Sequence, residues 1–306
     1  MGMNLEQFPA DDHGLILRRR ALALGCSPAQ LSRAVDAGLL ERIDPGVLVP
    51  AAARTPRELH VLRARAVAGK HPGVVFVDET AAAIHGLPLL KAVWDKVHVA
   101  FETRLRGINL AARCGGVSEE HLTVIGGLLV TSIEQTAVDT ACSTLQGFAG
   151  ALTVFDSALR AGASRRRMEA LLSTPRPGVG VARAALPFAS SASANPGESW
   201  SRAQMIEAGL TAPRLQHRFF DDQGRIIGRS DFDWDGRLAG EFDGYGKYVD
   251  YLDGADTALD AVRREKTRQA RLEDLGVSVV RWDWSDLEAK RMVARVTARL
   301  RALGIV

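Results

Sequence analysis

The sequence predicts a multidomain protein of mixed α/β and α+β class. The chain has 306 residues, whereas a single domain usually holds roughly 100 to 200 residues. Helical and hairpin patterns fill residues 1–53, and alternating strand patterns separated by turn residues follow residue 210. Residues 173–195 are rich in Ser, Ala, Pro and Gly, which predicts a linker. We therefore expect domains over 1–53, 54–172 and 196–306.

Composition narrows the possible classes of protein. With 46% hydrophobic and 25% charged residues, the chain is typical of globular proteins. No apolar run reaches the roughly 18 residues of a membrane span, and no secretory signal opens the chain, so we expect a cytoplasmic protein. The three cysteines lack CxxC spacing and the seven histidines lack metal-ligand spacing. A bound metal ion would therefore need oxygen ligands.

The N-terminal module, residues 1–53, shows a helix, a short turn, a second helix and a hairpin. Apolar residues follow a helical period over 13–25 and end at Gly25. Ser27 is a natural N-cap, Pro28 occupies the first helical position, and Gly38 ends the second helix. Residues 39–50 place an Asp-Pro-Gly turn between two apolar runs. This order is typical of a winged helix.

In a winged helix the second helix enters the DNA major groove, so its exposed residues can contact bases. Gln30 and Arg33 are the candidate base contacts, and Arg42 is a candidate phosphate contact on the wing. The alternative is a helix pair that only packs. Acids balance the five arginines of the module; they are Glu6, Asp11, Asp12, Asp36, Glu41 and Asp44.

The stretch LSRAVDAGLLERIDPGVLVP, residues 31–50, resembles the N-terminal winged helix of AbiEi-type antitoxins. Residues 54–172 continue this resemblance more loosely, as an α/β middle region. The resemblance implies DNA as a partner and a possible cognate toxin. Further along, residues 160–183 hold six arginines and one glutamate, which fits either a basic patch or a solvated helix face.

Carboxylates follow the strand period in the C-terminal region. Residues 214–243 predict a β-meander, in which Asp231 and Asp233 share one face and Glu241 and Asp243 share one face of the next strand. Clustered carboxylates repel one another unless a cation neutralises them. Mg²⁺ or Mn²⁺ is the expected cation because hard ions bind oxygen ligands, and Lys247 could then serve the attacking water. An acidic surface rich in turns is the alternative.

The stretch GRSDFDWDGRLAGEFDGYGKY, residues 228–248, resembles the very-short-patch-repair-like branch of the PD-(D/E)XK nucleases, found in many actinobacterial proteins. This resemblance implies a restriction-endonuclease-like mixed sheet flanked by helices over 196–306. Asp231 and Glu241 match the family's acidic positions, whereas Asp243 stands where its lysine usually lies and Lys247 follows four residues later. Glu198 corresponds to a glutamate that often joins the metal ligands; helix-dipole stabilisation is its alternative role.

Two functions are therefore predicted from the sequence. The first is a DNA-binding protein whose C-terminal domain is a metal-dependent endonuclease, with Asp231, Glu241, Asp243 and Glu198 as ligands. The second is an AbiEi-like antitoxin or transcriptional repressor whose nuclease fold is inactive, which the displaced lysine favours. An interaction module without either activity is a third possibility.

Overall fold

The computed structural model describes residues 4–101, 110–114, 117–244 and 258–306. The chain forms two compact units. Unit 1 comprises residues 1–87 and 92–139, and unit 2 comprises residues 88–91 and 140–306. Within the described residues, no helix combines the length and apolar character needed to cross a membrane.

The N-terminal module folds in nearly the predicted order. Its elements are β1 (Ile16–Leu17), α1 (Arg18–Ala23), α2 (Pro28–Asp36), β2 (Leu40–Asp44) and β3 (Val47–Pro50), and the strands form an antiparallel sheet in the order β1-β3-β2. The first helix begins five residues later than predicted from the period at 13–25. Ile16 and Leu17 pair with β3 instead, because Ile16 is buried in this sheet's core.

Helix α2 begins and ends as its local sequence predicts. The Ser27 hydroxyl accepts from the Gln30 backbone, and the Gln30 side chain accepts from the Ser27 backbone, which completes a capping box. Gly38 adopts a φ of 70° just after the helix, a conformation that glycine adopts without strain. Leu31 and Ala34 face the core of the module.

The rest of unit 1 is an α/β arrangement around a five-stranded mixed sheet of order β6-β5-β4-β8-β7. Phe76 and Val130 lie at its buried centre. The elements are α3 (Pro56–Lys70), β4 (Val75–Phe76), α4 (Asp78–His85), β5 (Val97–Phe101), β6 (Leu110–Cys114), β7 (Leu122–Ile125), β8 (Leu128–Thr131) and α5 (Ile133–Ser143).

Unit 2 joins a helical part to a four-stranded mixed sheet of order β12-β11-β10-β9. Strands β9 to β11 are antiparallel, and β12 runs parallel to β11. The elements are α6 (Gly147–Arg160), α7 (Arg165–Leu172), α8 (Val179–Ala185), α9 (Pro196–Glu207), β9 (Arg214–Phe220), β10 (Ile226–Trp234), β11 (Leu238–Asp243), α10 (Ala258–Asp274), β12 (Ser278–Asp283), α11 (Trp284–Glu288) and α12 (Arg291–Ala302). The predicted meander is therefore present.

The expected linker over 173–195 is part of the packed structure. It contains α8, with Ala182, Ala185 and Leu186 buried. Its small residues permit close approach rather than flexibility: a Cβ on Gly178 would lie 1.9 Å from the Cys142 carbonyl oxygen. The division between the compact units falls inside α5, at 139/140, so α6 and α7 join unit 2 rather than the predicted middle region.

Four of the six arginines of residues 160–183 donate hydrogen bonds to backbone carbonyls. Arg160 donates to the carbonyl of Ser193, and Arg165 donates to those of Leu186 and Ala189. Arg183 donates to the Leu172 carbonyl at 2.8 Å. Guanidinium groups can satisfy carbonyls left open at helix ends and in loops. Much of this local positive charge therefore serves packing.

Candidate nucleic-acid surface and candidate carboxylate site

The exposed arginines of the N-terminal module form the candidate nucleic-acid surface. Arg18, Arg19 and Arg20 lie exposed at the start of α1, Arg33 lies exposed on α2, and Arg42 lies exposed on β2. Arg33 Nε donates to the α2 backbone at the Ala29 carbonyl, 3.3 Å away. Within the described residues, none of the five arginines forms an ion pair. These cations can therefore meet an external anion.

Three of the six acids that offset these arginines in the sequence have partners of their own. Glu41 Oε2 lies 3.5 Å from Arg54 Nη1. Asp44 pairs with Lys70 of α3. Asp11 accepts hydrogen bonds from the backbone of His13 at 2.9 Å and Leu15 at 2.8 Å. The balance of charges counted along the sequence therefore does not describe the surface, because two of the acids are neutralised from outside the module.

Gln30 is less suited to base contact than the sequence predicts. It is exposed on α2, but its Oε1 accepts from Ser27 N at 2.7 Å. A glutamine reads adenine through both its oxygen and its amide nitrogen, so base contact would require Gln30 to leave the capping box. Arg33 has no such commitment to a helix cap. The arginines at 18–20 were not singled out from the sequence as DNA contacts; the run of three consecutive arginines was the available signal.

The candidate carboxylate site lies where α9 meets β9 and β10. Gln216 Nε2 donates to Glu198 Oε2 at 3.0 Å and reaches Asp231 Oδ1 at 3.5 Å. Asp231 Oδ2 accepts from the backbone of Phe242 on β11 at 2.9 Å. Glu198 also accepts from Ala194 N at 2.8 Å, so part of its role is to cap the start of α9. Two of the predicted site residues, Glu198 and Asp231, are thus brought together.

Gln216 was not predicted from the sequence. It has a φ of 52° in the middle of β9, a conformation that costs a non-glycine residue free energy and often marks functional sites. Its Oε1 is buried and has no hydrogen-bond partner in the described part of the chain. The only sequence signal was a polar residue on a strand that precedes the acidic pair.

Glu241 forms ion pairs with two arginines, Arg268 and Arg281. Its Oε1 lies 2.7 Å from Arg268 Nη1, and its Oε2 lies 2.9 Å from both Arg268 Nη2 and Arg281 Nε. Both arginines also pair with Glu265 of α10. Hydrogen bonds to Glu265 and then to Glu241 raise the pKa of Arg268 further above its usual range. The sequence prediction did not include these partners.

The remaining predicted residues divide into three cases. Asp233, expected to share a face with Asp231, is fully buried, pairs with Arg214 and accepts from Gly236 N at 3.1 Å, so it stabilises the turn between β10 and β11. Asp243 lies half-buried at the end of β11. Lys247 lies outside the described residues.

The chemistry of this site fits a hard cation only in part. Glu198, Asp231 and the open Oε1 of Gln216 offer oxygen ligands, as Mg²⁺ prefers. Across the residues that the structure describes, however, no three His, Cys, Asp or Glu side chains are grouped to hold a metal ion. Glu241 is already paired with cations, since both of its oxygens lie within 2.9 Å of guanidinium nitrogens, although Oε1 accepts no hydrogen bond in the described part of the chain.

Comparisons with known proteins define the class first. Residues 5–51 match the family described as transcriptional regulator, AbiEi antitoxin, so the N-terminal module is similar to the domain that this family shares. The chain is also 32% identical over 231 residues to the uncharacterized proteins MT2308 and Rv2248 of Mycobacterium tuberculosis, which covers 72% of this chain and 79% of each relative. The chain belongs to the same protein family as these two mycobacterial proteins.

A solved structure shows a weaker likeness. The crystal structure of the RV2827C protein from Mycobacterium tuberculosis superposes with a TM-score of 0.38 at 15% sequence identity, covering 70% of this chain and 84% of that chain.

Proposed function

We propose that the protein is a transcriptional regulator of the AbiEi antitoxin class that binds DNA through its N-terminal module. Helix α2 enters the major groove, where Arg33 contacts base edges. Arg42 and the arginines at 18–20 contact phosphates. The observation that carries the proposal is the set of exposed arginines without ion pairs in the described residues, while two of the module's six acids, Glu41 and Asp44, are neutralised by other cations.

The two kinds of contact have different signatures in binding experiments. Each phosphate neutralised by a side chain adds about −0.9 to the slope of log K against log salt. Removing Arg19 should therefore weaken binding to all sequences alike and make the slope less steep by about 1. Removing Arg33 should cost about 1 to 3 kcal/mol on the preferred sequence and reduce selectivity.

The test is a gel shift and anisotropy titration with the DNA upstream of the protein's own gene, at several salt concentrations and without divalent metal. Arg225→Ala is the matched control, because Arg225 is exposed at the turn between β9 and β10 and outside the module. We expect selective binding that Arg33→Ala and Arg19→Ala weaken and the control does not. Binding that is unselective, or unaffected by both variants, contradicts the proposal.

An antitoxin acts together with a toxin, so a toxin is the expected protein partner. We propose that the protein acts with a cognate toxin, as the antitoxin resemblance implies. Repression by DNA binding would then control the amount of toxin made. Co-expression of the neighbouring gene, with growth as the readout, tests this: growth arrest without this protein and recovery with it support the partnership, whereas equal growth contradicts it.

A second candidate function is metal-dependent cleavage of phosphodiester bonds by the C-terminal domain. The meeting of Glu198, Gln216 and Asp231 favours it, together with the resemblance noted over residues 228–248 and the mixed sheet flanked by helices. A bound Mg²⁺ or Mn²⁺ would stabilise charge on the scissile phosphate. The proposed ligands are Glu198, Asp231, Glu241 and Asp243, and Lys247 would orient the attacking water.

Nicking of supercoiled DNA in Mg²⁺ or Mn²⁺ tests this candidate. Asp231→Asn should abolish nicking without unfolding the domain, because the amide keeps the size of the side chain. Asp235→Asn is the control, since Asp235 is exposed in the next turn with a φ of 55°, which asparagine tolerates. If the wild type binds DNA selectively but does not nick it, cleavage is contradicted and the repressor function is the one that remains.

A further inference from the structure

We propose that a cleft in unit 1 binds a small monoanion with an apolar body, and that the bound anion weakens DNA binding by the N-terminal module. The cleft has a volume of about 460 Å³ and lies where the segment after β3 meets α3 and α4. Its regulatory part rests on the proposed function, whereas the binding of the anion does not. The lining residues, all of unit 1, are Ala52, Ala53, Arg54, Arg57, Glu58, Val61, Leu62, Ala83 and Ile84.

The size and the walls of the cleft fit the hydrocarbon part of a small molecule. Sites for small molecules usually measure roughly 300 to 1,000 Å³ and are mostly apolar, with a few polar groups that orient the ligand. Six of the nine lining residues are aliphatic. Val61, Leu62 and Ile84 are half-buried, so each still offers apolar surface to a ligand. Covering that surface with a hydrocarbon group is favourable because it removes the surface from water.

Two guanidinium groups give the cleft its preference for an anion. Arg54 Nη1 is buried, forms no hydrogen bond among the described residues of the chain, and lies 3.5 Å from Glu41 Oε2. The Arg54 side chain is 19% exposed, so a ligand in the cleft can reach the guanidinium. Arg57 is exposed, and its Nη1 makes a long hydrogen bond of 3.4 Å to the Ala83 carbonyl. A carboxylate would supply the acceptor that both groups lack at ordinary distance.

Glu58 sets the charge of the preferred ligand. Its Oε2 accepts from Thr55 N at 2.7 Å and from Thr55 Oγ1 at 2.9 Å, which directs the carboxylate towards the N-cap of α3. These hydrogen bonds lower the pKa of Glu58, so it stays negative at neutral pH. The charged residues that line the cleft, two arginines and one glutamate, therefore sum to one positive charge. A monoanion neutralises that charge, whereas a dianion would exceed it.

Arg54 connects the cleft to the wing of the N-terminal module. Its Nη2 donates to the Pro50 carbonyl at the end of β3 at 2.7 Å, and its Nη1 is the counter-charge of Glu41 on β2. An anion that recruits Nη1 would leave Glu41 without this counter-charge. Glu41 directly precedes Arg42, the proposed phosphate contact, and consecutive Cα atoms lie only about 3.8 Å apart. The freed negative charge would therefore repel the DNA backbone, since salt screens charges only beyond about 10 Å.

Isothermal titration calorimetry of the full-length protein with octanoate tests the anion site without DNA. Octanol and octylamine carry the same hydrocarbon body without the negative charge, and acetate carries the charge without the body. We expect a dissociation constant for octanoate below about 1 mM, and binding of the other three probes at least about tenfold weaker.

Arg57→Gln should weaken octanoate binding roughly tenfold, because it removes hydrogen bonds to a charged group. Lys96→Gln is the matched control, since Lys96 is an exposed cation of the same unit that does not line the cleft. This control should bind octanoate as the wild type does. Circular dichroism confirms that each variant is folded.

An anisotropy titration with the upstream DNA, with and without saturating octanoate, tests the regulation. We expect octanoate to weaken DNA binding by at least about fivefold, and DNA to weaken octanoate binding by the same factor, because coupling between two sites is reciprocal. Glu41→Gln should still bind octanoate but should lose most of this coupling, since its amide has no charge to be freed.

Absence of octanoate binding, equal binding of octanoate and octanol, or equal loss in Arg57→Gln and Lys96→Gln would overturn the anion site. Octanoate binding that leaves the DNA affinity of the wild type unchanged would overturn the regulation. A protein that binds no DNA with or without octanoate would contradict the proposed function and the regulation with it, while the calorimetry would still decide the anion site.

Discussion

Replacement of Asp156 by alanine is expected to destabilise unit 2 by about 3 to 5 kcal/mol. Asp156 is fully buried on α6. Its carboxylate accepts hydrogen bonds from Ser190 N at 2.6 Å, Ser199 Oγ at 2.8 Å and Arg202 Nη1 at 2.8 Å. The alanine variant would leave a guanidinium whose side chain is 11% exposed without its counter-charge, and two further donors without an acceptor.

The origin of this loss predicts a second result. Burial raises the pKa of Asp156 even though Arg202 opposes the rise, so the ion pair gains little beyond the cost of removing both charges from water. The unfavourable feature of Asp156→Ala is the stranded charge. The double variant Asp156→Ala with Arg202→Met should therefore be more stable than Asp156→Ala alone.

Scanning calorimetry measures both effects. A unit of this size loses about 2 to 4 °C of melting temperature per kcal/mol, so the single variant should melt roughly 6 to 20 °C lower. Glu288→Ala is the control, since its pair with Lys91 at 2.7 Å is exposed and is worth less than about 1 kcal/mol. A decrease in the melting temperature of Asp156→Ala of less than about 2 °C would refute the reasoning. A double variant less stable than the single variant would refute it as well.

Three further predictions concern unit 1 and the carboxylate site. Burial lowers the pKa of His60 from 6.5 to about 4. The stability that neutral His60 contributes is fully present above pH 6.5, and about 3 kcal/mol of it should be lost as the pH drops towards 4. Urea unfolding of the wild type should show this loss, and His60→Gln should not. Gln216→Glu adds a third carboxylate beside the two that Gln216 bridges. The added charge should lower stability by about 1 to 3 kcal/mol and make the melting temperature rise with Mn²⁺. A melting temperature independent of Mn²⁺ would count against a cation site. Gly197→Ala places a Cβ 2.0 Å from Phe242 Cε1 and should lower stability by about 1 to 3 kcal/mol. Gly180→Ala, with nothing within 4 Å of its Cβ, should be neutral or stabilising by up to about 1 kcal/mol. Equal melting temperatures for the two variants would contradict close packing of Gly197 against Phe242.

The best sequence predictions rest on contacts between near neighbours in the chain. The α2 boundaries were predicted from Ser27, Pro28 and Gly38, and each acts within a few residues of its own position. The β9 to β11 meander was predicted from alternating residues and from the turn at Asp235 and Gly236, both of which have positive φ. Such signals are local, so the sequence displays them directly.

Amino-acid composition did not predict correctly whether residues 173–195 are a linker or part of a packed domain. Residues 173–195 resemble a linker because small residues and prolines are common in flexible segments. The same small residues allow α8 to approach the rest of unit 2 closely, as Gly178 does at Cys142. Counting alanines and glycines cannot separate these two outcomes, because the difference lies in what faces them.

The sequence by itself determined helix α2, the hairpin that follows it, the β9 to β11 meander, and which side chains could serve as cations or oxygen ligands. Only the tertiary structure decided which charges remain available. Asp44 is neutralised by Lys70, and Glu241 by Arg281 from a separate strand. Ion pairs of this kind depend on distances set by packing between remote segments, and electrostatic energy depends on those distances and on burial rather than on position in the chain.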